Sequence, residues 1–312
     1  MLQYFIVLLD DTSVSYCHYD NKDSKRNLID IDILKKSLVW AMKENLNVQF
    51  VYPNYELPEQ YDDVIESVDN TKIKGTDVDA DVIVLKNWLD SGCEIKDNAV
   101  YIIKATRNEL RTHIEYIKKL LSHAARVNVI VDDILDFVDD DIKAYEDFLE
   151  ELSSVIVPEF EKGRAVQCNL LTDRIMLDEM NNCDAGVKSI TLAPNGKFYL
   201  CPAFYYENSN NSLGDYSVGL TIKNPQLLQL DHAPLCRMCD AYQCKRCIWM
   251  NIHSTLDVNT PSHQQCVISH IERNASEKLL CQLKDKGISL NGIVEIKKID
   301  YLDPYNKFNR WK

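Results

Sequence analysis

Tyr4-Phe-Ile-Val-Leu-Leu9, Ile33-Leu-Lys-Lys-Ser-Leu-Val-Trp-Ala-Met42 and Asn47-Val-Gln-Phe-Val-Tyr52 decide the fold of the first half of this chain. The first and third segments are short apolar runs suited to buried strands. Between them, Leu34, Leu38, Val39, Ala41 and Met42 fall near one helical face, as in an amphipathic helix that packs on a sheet. Strand, helix and strand in that order make a β-α-β unit.

The alternation continues outward. Residues 82–85 and 100–103 are further strand candidates. Thr106 and Glu109 then form a capping-box pattern ahead of Leu110, Ile114, Ile117 and Leu121, in which side chain and backbone satisfy each other's free groups. Residues 127–131 suit the next strand, and Ile142, Tyr145, Phe148, Leu149 and Leu152 the next amphipathic helix. Helices and strands in alternation predict an α/β fold, with a mostly parallel sheet covered by helices. After about Gly163 the texture changes to short strands, turns and cysteines. Residues 187–192 and 197–201 flank Pro194-Asn195-Gly196, a turn signal that predicts a β-hairpin. Residues 208–211 are polar and read as a loop. We expect two domains, an α/β domain over 1–165 and a small cysteine-rich α+β domain over 166–312.

The chain has 312 residues, 46% of them apolar, enough for one large core or two modest ones. Its longest early apolar run, 5–9, is far short of the roughly 20 residues a membrane span needs. No basic region precedes that run and no small-residue cleavage site follows it, so a secretory signal is not expected and a cytoplasmic location is. A formal charge of -13 argues against a nucleic-acid partner, because phosphate-backbone binding is driven by lysine and arginine. The acidic stretch 132–151, with Asp139, Asp140 and Asp141, reads as a solvated helix face.

Eleven cysteines in a reducing compartment do not form a disulfide framework by default. All but Cys17, Cys93 and Cys168 lie from Cys183 onward, and the informative stretch is Pro234-Leu-Cys236-Arg-Met-Cys239-Asp-Ala-Tyr-Gln-Cys244-Lys-Arg-Cys247. Its two CxxC pairs are too close for a zinc ribbon, whose knuckles are commonly about 15 to 20 residues apart. Dense thiolates plus remote cysteines suit iron–sulfur clusters, and Cys183, Cys201 and Cys266 supply the remote positions. One tetrahedral zinc is the alternative. Cys17, Cys93 and Cys281 read as buried inert thiols, and Cys168 stays undecided. His253, His263 and His270 flank Cys266; ordinary polar roles are their first reading, and ligation in place of a cysteine the second. Arg237, Lys245 and Arg246 lie between ligands, either offsetting an anionic cluster or simply exposed.

The pattern resembles the SPASM domain, the auxiliary-cluster module of many radical S-adenosylmethionine enzymes that modify peptides. Cys183 precedes Gly196-Lys-Phe-Tyr-Leu-Cys201-Pro202, Ser212-Leu-Gly-Asp215 resembles that family's Leu-Gly-Asn stretch, the cluster starts at Cys236, and Cys266 closes it. The inner gaps here are x4 and x2 where the family has x5 and x3. Carried over position by position, the resemblance implies one 4Fe-4S cluster on Cys236, Cys239, Cys244 and Cys266, and another on Cys183, Cys201 and Cys247.

The front half lacks the Cys-x3-Cys-x2-Cys triplet with which radical S-adenosylmethionine enzymes chelate their cofactor. The segment after Leu9 is Asp10-Asp-Thr-Ser-Val-Ser-Tyr-Cys17-His18-Tyr, so no S-adenosylmethionine site is expected and the chain is not a self-sufficient radical enzyme. Val7-Leu-Leu-Asp-Asp-Thr-Ser-Val-Ser-Tyr-Cys-His-Tyr19 and Glu44-Asn-Leu-Asn-Val-Gln-Phe-Val-Tyr-Pro53 look like the bacterial CXXX repeat peptide maturase family. That resemblance implies a degenerate, partial (β/α)-barrel-like or open-sheet front domain joined to a SPASM-like module. It also implies two partners, a true radical S-adenosylmethionine maturase and a cysteine-repeat precursor peptide, in a system for ribosomally made, modified peptides. No Gly-rich phosphate loop, Gly-x-Ser-x-Gly or His-Glu-x-x-His is present, and Cys17-His18 reads as a structural pair rather than a nucleophile and base. Two other readings remain: a zinc-stapled peptide- or protein-binding module, and an enzyme with an open cluster site near Cys183, Cys201 and Cys247.

Overall fold

The structure is a computed structural model and describes residues 2–21, 25–75, 79–85, 95–288 and 290. In chain order its strands and helices are β1 (Tyr4–Leu8), α1 (Ile31–Lys43), β2 (Asn47–Val51), α2 (Glu59–Ile65), β3 (Asn70–Lys74), β4 (Val82–Leu85), β5 (Val100–Ala105), α3 (Arg107–Thr112), α4 (Ile114–His123), β6 (Arg126–Val131), α5 (Asp139–Glu161), β7 (Gln167–Cys168), α6 (Asp173–Met176), β8 (Ser189–Leu192), β9 (Phe198–Tyr199), α7 (Pro202–Glu207), β10 (Gly214–Asp215), β11 (Gly219–Leu220), α8 (Ile248–Thr255) and α9 (His263–Asp285). The chain divides into two compact units, each built from two stretches: Met1–Leu85 with Asp184–Gln229, and Lys86–Cys183 with Leu230–Lys312. The expected α/β architecture with a mostly parallel sheet is observed. Among the described residues no helix is long and apolar enough to cross a membrane.

In the first unit the strand order is β4-β3-β2-β1-β8-β9. Pairing is parallel from β4 to β8, with Tyr4 opposite Asn47 and Leu8 opposite Val51 across β1 and β2. The last pair, β8 and β9, is the expected hairpin and is antiparallel. Helix α1 starts where the Asp30 carboxylate accepts the backbone N–H of Asp32 at 2.9 Å and of Ile33 at 3.1 Å, the usual chemistry of an N-cap. Leu34, Leu38 and Ala41 are buried against the sheet, whereas Val39 and Met42 are 51% and 61% exposed. At about 100° per residue, Val39 lies on the far side of the helix from Leu34 and Met42 at the edge of the apolar stripe, which corrects their assignment to the packed face. Phe5, Trp40 and Phe198 close the core, with ring centroids 5.5 Å (Phe5–Trp40), 5.8 Å (Phe5–Phe198) and 4.8 Å (Trp40–Phe198) apart. The hairpin therefore extends the α/β core through Ile190, Leu192 and Phe198, all fully buried.

In the second unit β5, β6 and β7 pair in parallel. The Thr106–Glu109 box forms: the Thr106 N–H donates to the Glu109 carboxylate at 2.8 Å and the Glu109 N–H to Thr106 Oγ1 at 3.4 Å. The helix it starts breaks at His113 (φ −109°) before α4 resumes. Asp139, Asp140 and Asp141 occupy the first turn of α5, where negative charge meets the positive end of the helix dipole. The Asp141 carboxylate also accepts the Val138 N–H at 3.0 Å. Helix α5 packs against α9, and the Tyr145 hydroxyl donates to Glu272 at 2.8 Å between them.

Candidate metal centre

The stretch 233–247 has no regular secondary structure until α8 begins after Cys247. Tight turns shape it instead: the N–H groups of Cys236, Cys239 and Cys244 donate to the carbonyls of Ala233 (3.1 Å), Cys236 (3.0 Å) and Ala241 (3.0 Å). Cys244 and Cys239 lie near enough to Cys236 for their charges to oppose its ionisation. Burial first, and then the neighbouring Cys244 and Cys239, push the Cys236 thiol up to about 12, against the pull of Arg246. Burial also raises Cys244, opposed by hydrogen bonds from the Ser269 hydroxyl and the Arg246 backbone. A buried thiol beside other thiols resists ionisation unless a cation joins it, and a bound metal deprotonates its thiol ligands outright.

Helix α9 holds this knuckle nearly residue by residue. His270 Nε2 lies 3.5 Å from Cys239 Sγ. Arg273 Nη1 donates to Asp240 at 2.8 Å, and Arg174 Nη2 lies 3.7 Å from the same carboxylate. Gln243 Nε2 donates to the Ser269 carbonyl at 2.6 Å and to Glu272 at 3.3 Å. Burial lifts the Glu272 carboxyl to about 7, although Tyr145 and Gln243 both hydrogen-bond to it. Cys239, Asp240 and His270 are the group of three among the described residues whose possible ligand atoms all lie within 4.8 Å of one another. Asp240 already serves Arg273, so Cys239 and His270 are the donors that remain.

Cys183 sits beside the second CxxC turn: its N–H donates to the Lys245 carbonyl at 2.7 Å. Arg246 is 1% exposed, and its guanidinium donates to Asn182 at 2.8 Å and to Asn259 at 2.9 Å. It is thus a buried neighbour of the thiols, while Arg237 and Lys245 are exposed. Cys247 is buried at the start of α8, and Cys266 is half-buried on α9, one turn before His270. Cys201 belongs to the first unit, where it stands at the N-cap of α7 ahead of Pro202.

Cys168, undecided in the sequence, is a core thiol on β7 pushed up to about 12 by burial. Cys17 is half-buried, and Cys281, expected inside, is exposed. Leu279 and Leu283 take the buried face of α9, and a residue two away from each points elsewhere. Cys93 lies outside the described residues.

Thiolates with an imidazole suit an iron–sulfur cluster or zinc rather than magnesium or calcium. The residues present fit such a group. Ser269, Glu272, Arg273, Arg174 and Tyr145, which surround the string, carry no metal-binding signature in the sequence. The sequence signal that could have singled out His270 is its i, i+4 spacing from Cys266, which sets both on one side of a helix.

In the first unit, the segment after β1 is held by hydrogen bonds and ring contacts within itself and to its neighbours. Asp10 is fully buried and accepts the N–H groups of Thr12 and Asn27, each at 2.8 Å. Ser13 donates to the Val51 carbonyl at 2.8 Å, and the Tyr205 hydroxyl donates to Asp11. Tyr19 stacks on Tyr206 with centroids 5.4 Å apart.

No protein-family model and no curated protein matches the chain. Among solved structures, "Native anSMEcpe with bound AdoMet and Cp18Cys peptide" is similar at a TM-score of 0.57 and 14% identity, covering 90% of this chain and 99% of that one. "Native anSMEcpe with bound AdoMet" is similar at 0.54 and 14%, covering 90% and 99%. A looser likeness, to Streptococcus suis SuiB bound to precursor peptide SuiA, has a TM-score of 0.39 and 13% identity over 72% of this chain and 64% of that one. The chain therefore shares its fold with a protein solved with AdoMet and a peptide.

Proposed function

We propose that this chain is an iron–sulfur protein of a system that modifies ribosomally made peptides, working beside a radical S-adenosylmethionine maturase on a cysteine-repeat precursor. The cysteine-rich segment 166–312 is read as the SPASM-like module, with one 4Fe-4S cluster on the Cys236-Cys239-Cys244 knuckle and a second near Cys183 and Cys247. The observation that carries this reading is the way the Cys236–Cys247 string packs on α9, with Cys239 Sγ 3.5 Å from His270 Nε2 and with Cys244 and Cys239 both acting on the Cys236 thiol. The fold shared with a peptide-bound, AdoMet-bound protein supports the peptide context. The segment after β1 holds one cysteine, where chelation of S-adenosylmethionine iron needs three thiolates. This argues for an accessory role, in which the clusters bind substrate thiols or relay electrons.

One distance favours zinc as the second reading. A tetrahedral ion bound through one thiolate and one imidazole sets sulfur and nitrogen about 3.5 Å apart, as Cys239 and His270 stand. Anaerobic purification followed by iron, sulfide and zinc analysis decides between them, repeated with Cys236→Ala and Cys183→Ala. Iron and sulfide of about eight per chain, falling by about half in each variant, is the expected result. Zinc without sulfide overturns the redox reading and leaves a zinc-stapled binding module.

A further inference from the structure

We propose that Tyr16, Tyr19, Tyr206 and Tyr205 form a path that conducts an oxidising equivalent to Tyr205, whose hydroxyl proton passes to Asp11 as the ring gives up an electron. The inference stands apart from the cluster reading, since no cysteine ligand takes part. Successive rings are in contact: centroids lie 5.8 Å apart from Tyr16 to Tyr19, 5.4 Å from Tyr19 to Tyr206 and 5.2 Å from Tyr206 to Tyr205, inside the range of directly packed aromatic pairs. All four belong to the first unit, two from the segment after β1 and two from α7. Tyr16 and Tyr206 are half-buried, whereas Tyr19 and Tyr205 are buried. A dissolved oxidant therefore meets the outer rings, and Tyr205 is the interior end.

A neutral phenol gives up an electron readily only together with its proton, so the ring with a base on its hydroxyl is the one that is most easily oxidised. Tyr205 donates to the carboxylate of Asp11, a residue 7% exposed, and proton transfer needs such a base within hydrogen-bond reach. Tyr19 donates instead to the Val14 carbonyl at 3.3 Å, and Tyr199, whose ring lies 5.2 Å beyond Tyr205, to the Ser209 carbonyl at 2.7 Å. A backbone carbonyl does not take up a proton, so the equivalent stops at Tyr205. Burial first, and then Asp11, hold the Tyr205 hydroxyl well above its ordinary ionisation range, so the ring starts un-ionised. The oxidant is a one-electron acceptor of the radical class, such as a thiyl radical. It becomes the thiolate, Tyr205 becomes a neutral tyrosyl radical, and Asp11 becomes the carboxylic acid.

The test uses the full chain with photogenerated ruthenium(III) tris-bipyridine as the oxidant, read by tyrosyl absorption and by freeze-quenched electron paramagnetic resonance. A second sample carries a ring-fluorinated tyrosine at position 205, so that a radical there shows fluorine splitting. The variants are Tyr205→Phe, Tyr206→Phe and Asp11→Asn, each checked by circular dichroism. The expected result is a long-lived radical with fluorine splitting in the labelled chain and its loss in Tyr205→Phe. In Asp11→Asn the radical should form about a hundredfold more slowly, the usual contribution of a positioned base, and Tyr206→Phe should also slow it. Tyr205→Phe keeps the ring in place, so it decides the matter even where loss of the Asp11 charge unfolds the chain. A long-lived radical without fluorine splitting, or one that survives Tyr205→Phe unchanged, overturns the inference and leaves the rings as core packing only. Formation at Tyr205 that neither Asp11→Asn nor Tyr206→Phe slows overturns it as well.

Discussion

Replacing Asp240 tests whether α9 anchors the knuckle by charge. Asp240 is 2% exposed and meets Arg273 at 2.8 Å and Arg174 at 3.7 Å, with both guanidinium side chains also buried. Burial lowers the Arg174 guanidinium from its ordinary value despite Glu277 and Asp240 beside it, which marks how dry this network is. Removing one partner of a buried ion pair typically costs about 3 to 5 kcal/mol, because the other charge stays behind. Here Asn274 and Glu277 retain contacts to Arg273 and Arg174, so Asp240→Asn is expected near the lower end, about 3 kcal/mol. The assay is urea unfolding of the purified full chain with metal content measured in parallel. Since Asp240 adjoins Cys239, the variant should also retain less metal. Asp240→Leu combined with Arg273→Met should then lose less than the two singles summed, by more than about 1 kcal/mol. A cost below about 1 kcal/mol for Asp240→Asn, with metal retained, refutes the anchoring argument.

Phe198→Ala removes a fully buried ring that contacts both Phe5 and Trp40, and thermal unfolding should show a loss of about 3 to 5 kcal/mol. Gly196 has φ +76°, and an added Cβ would stand 3.1 Å from two atoms of Ile33. Gly196→Ala is therefore expected to cost about 1 to 2 kcal/mol in the same measurement. Lys162 and Arg164 hold the Glu159 carboxyl below its usual 4.5, so its contribution is present above about pH 4.5 and fades as pH falls through the lower folded value. Unfolding midpoints compared with Glu159→Gln should converge with the variant only on acidification, and a constant offset across pH would contradict that.

The fold was legible where burial is carried by apolar side chains. Strands β1, β2, β4 and β6 are dense in valine, isoleucine and leucine, and their runs show at once. Strand β3, Asn70-Thr-Lys-Ile-Lys74, buries only Ile73; its place is set by pairing with β2 and β4, which local composition does not encode. Helix α9 escaped notice for a related reason. Its buried side mixes Val267, Ile268, Ile271, Leu279 and Leu283 with Gln265, Ser269, His270, Glu272, Arg273 and Ser276, so polar partners interrupt the apolar stripe on the face that packs. The same residues explain the state of the candidate centre. CxxC spacing announces the thiols, but nothing in the string Cys236 to Cys247 tells which helix will lie behind it. The hairpin illustrates the converse: Pro194-Asn195-Gly196 gives its turn, while its parallel attachment to β1 comes from Ile190, Leu192 and Phe198 packing with Phe5 and Trp40.

The short gaps in the cysteine string have a visible structural counterpart. With only Lys245 and Arg246 between Cys244 and Cys247, the chain must reverse tightly, and Arg246 adopts φ +44°. A side chain with a Cβ in the left-handed region costs about 1 to 2 kcal/mol, which a glycine would avoid. Arginine stands there nonetheless, with its guanidinium donating to Asn182 and Asn259 and its charge acting on the Cys236 and Cys244 thiols. Hydrogen bonds to a charged group contribute about 1.5 to 3 kcal/mol each, enough to offset the strain. Two of its contacts thus tie the turn to the segment that ends in Cys183 and to the loop before α9. Arg246→Gly would relieve the backbone and release those ties together. In urea unfolding it should therefore destabilise the chain despite curing the strain, and Arg246→Lys, which keeps a charge but loses the fork that spans both asparagines, should recover only part of the loss.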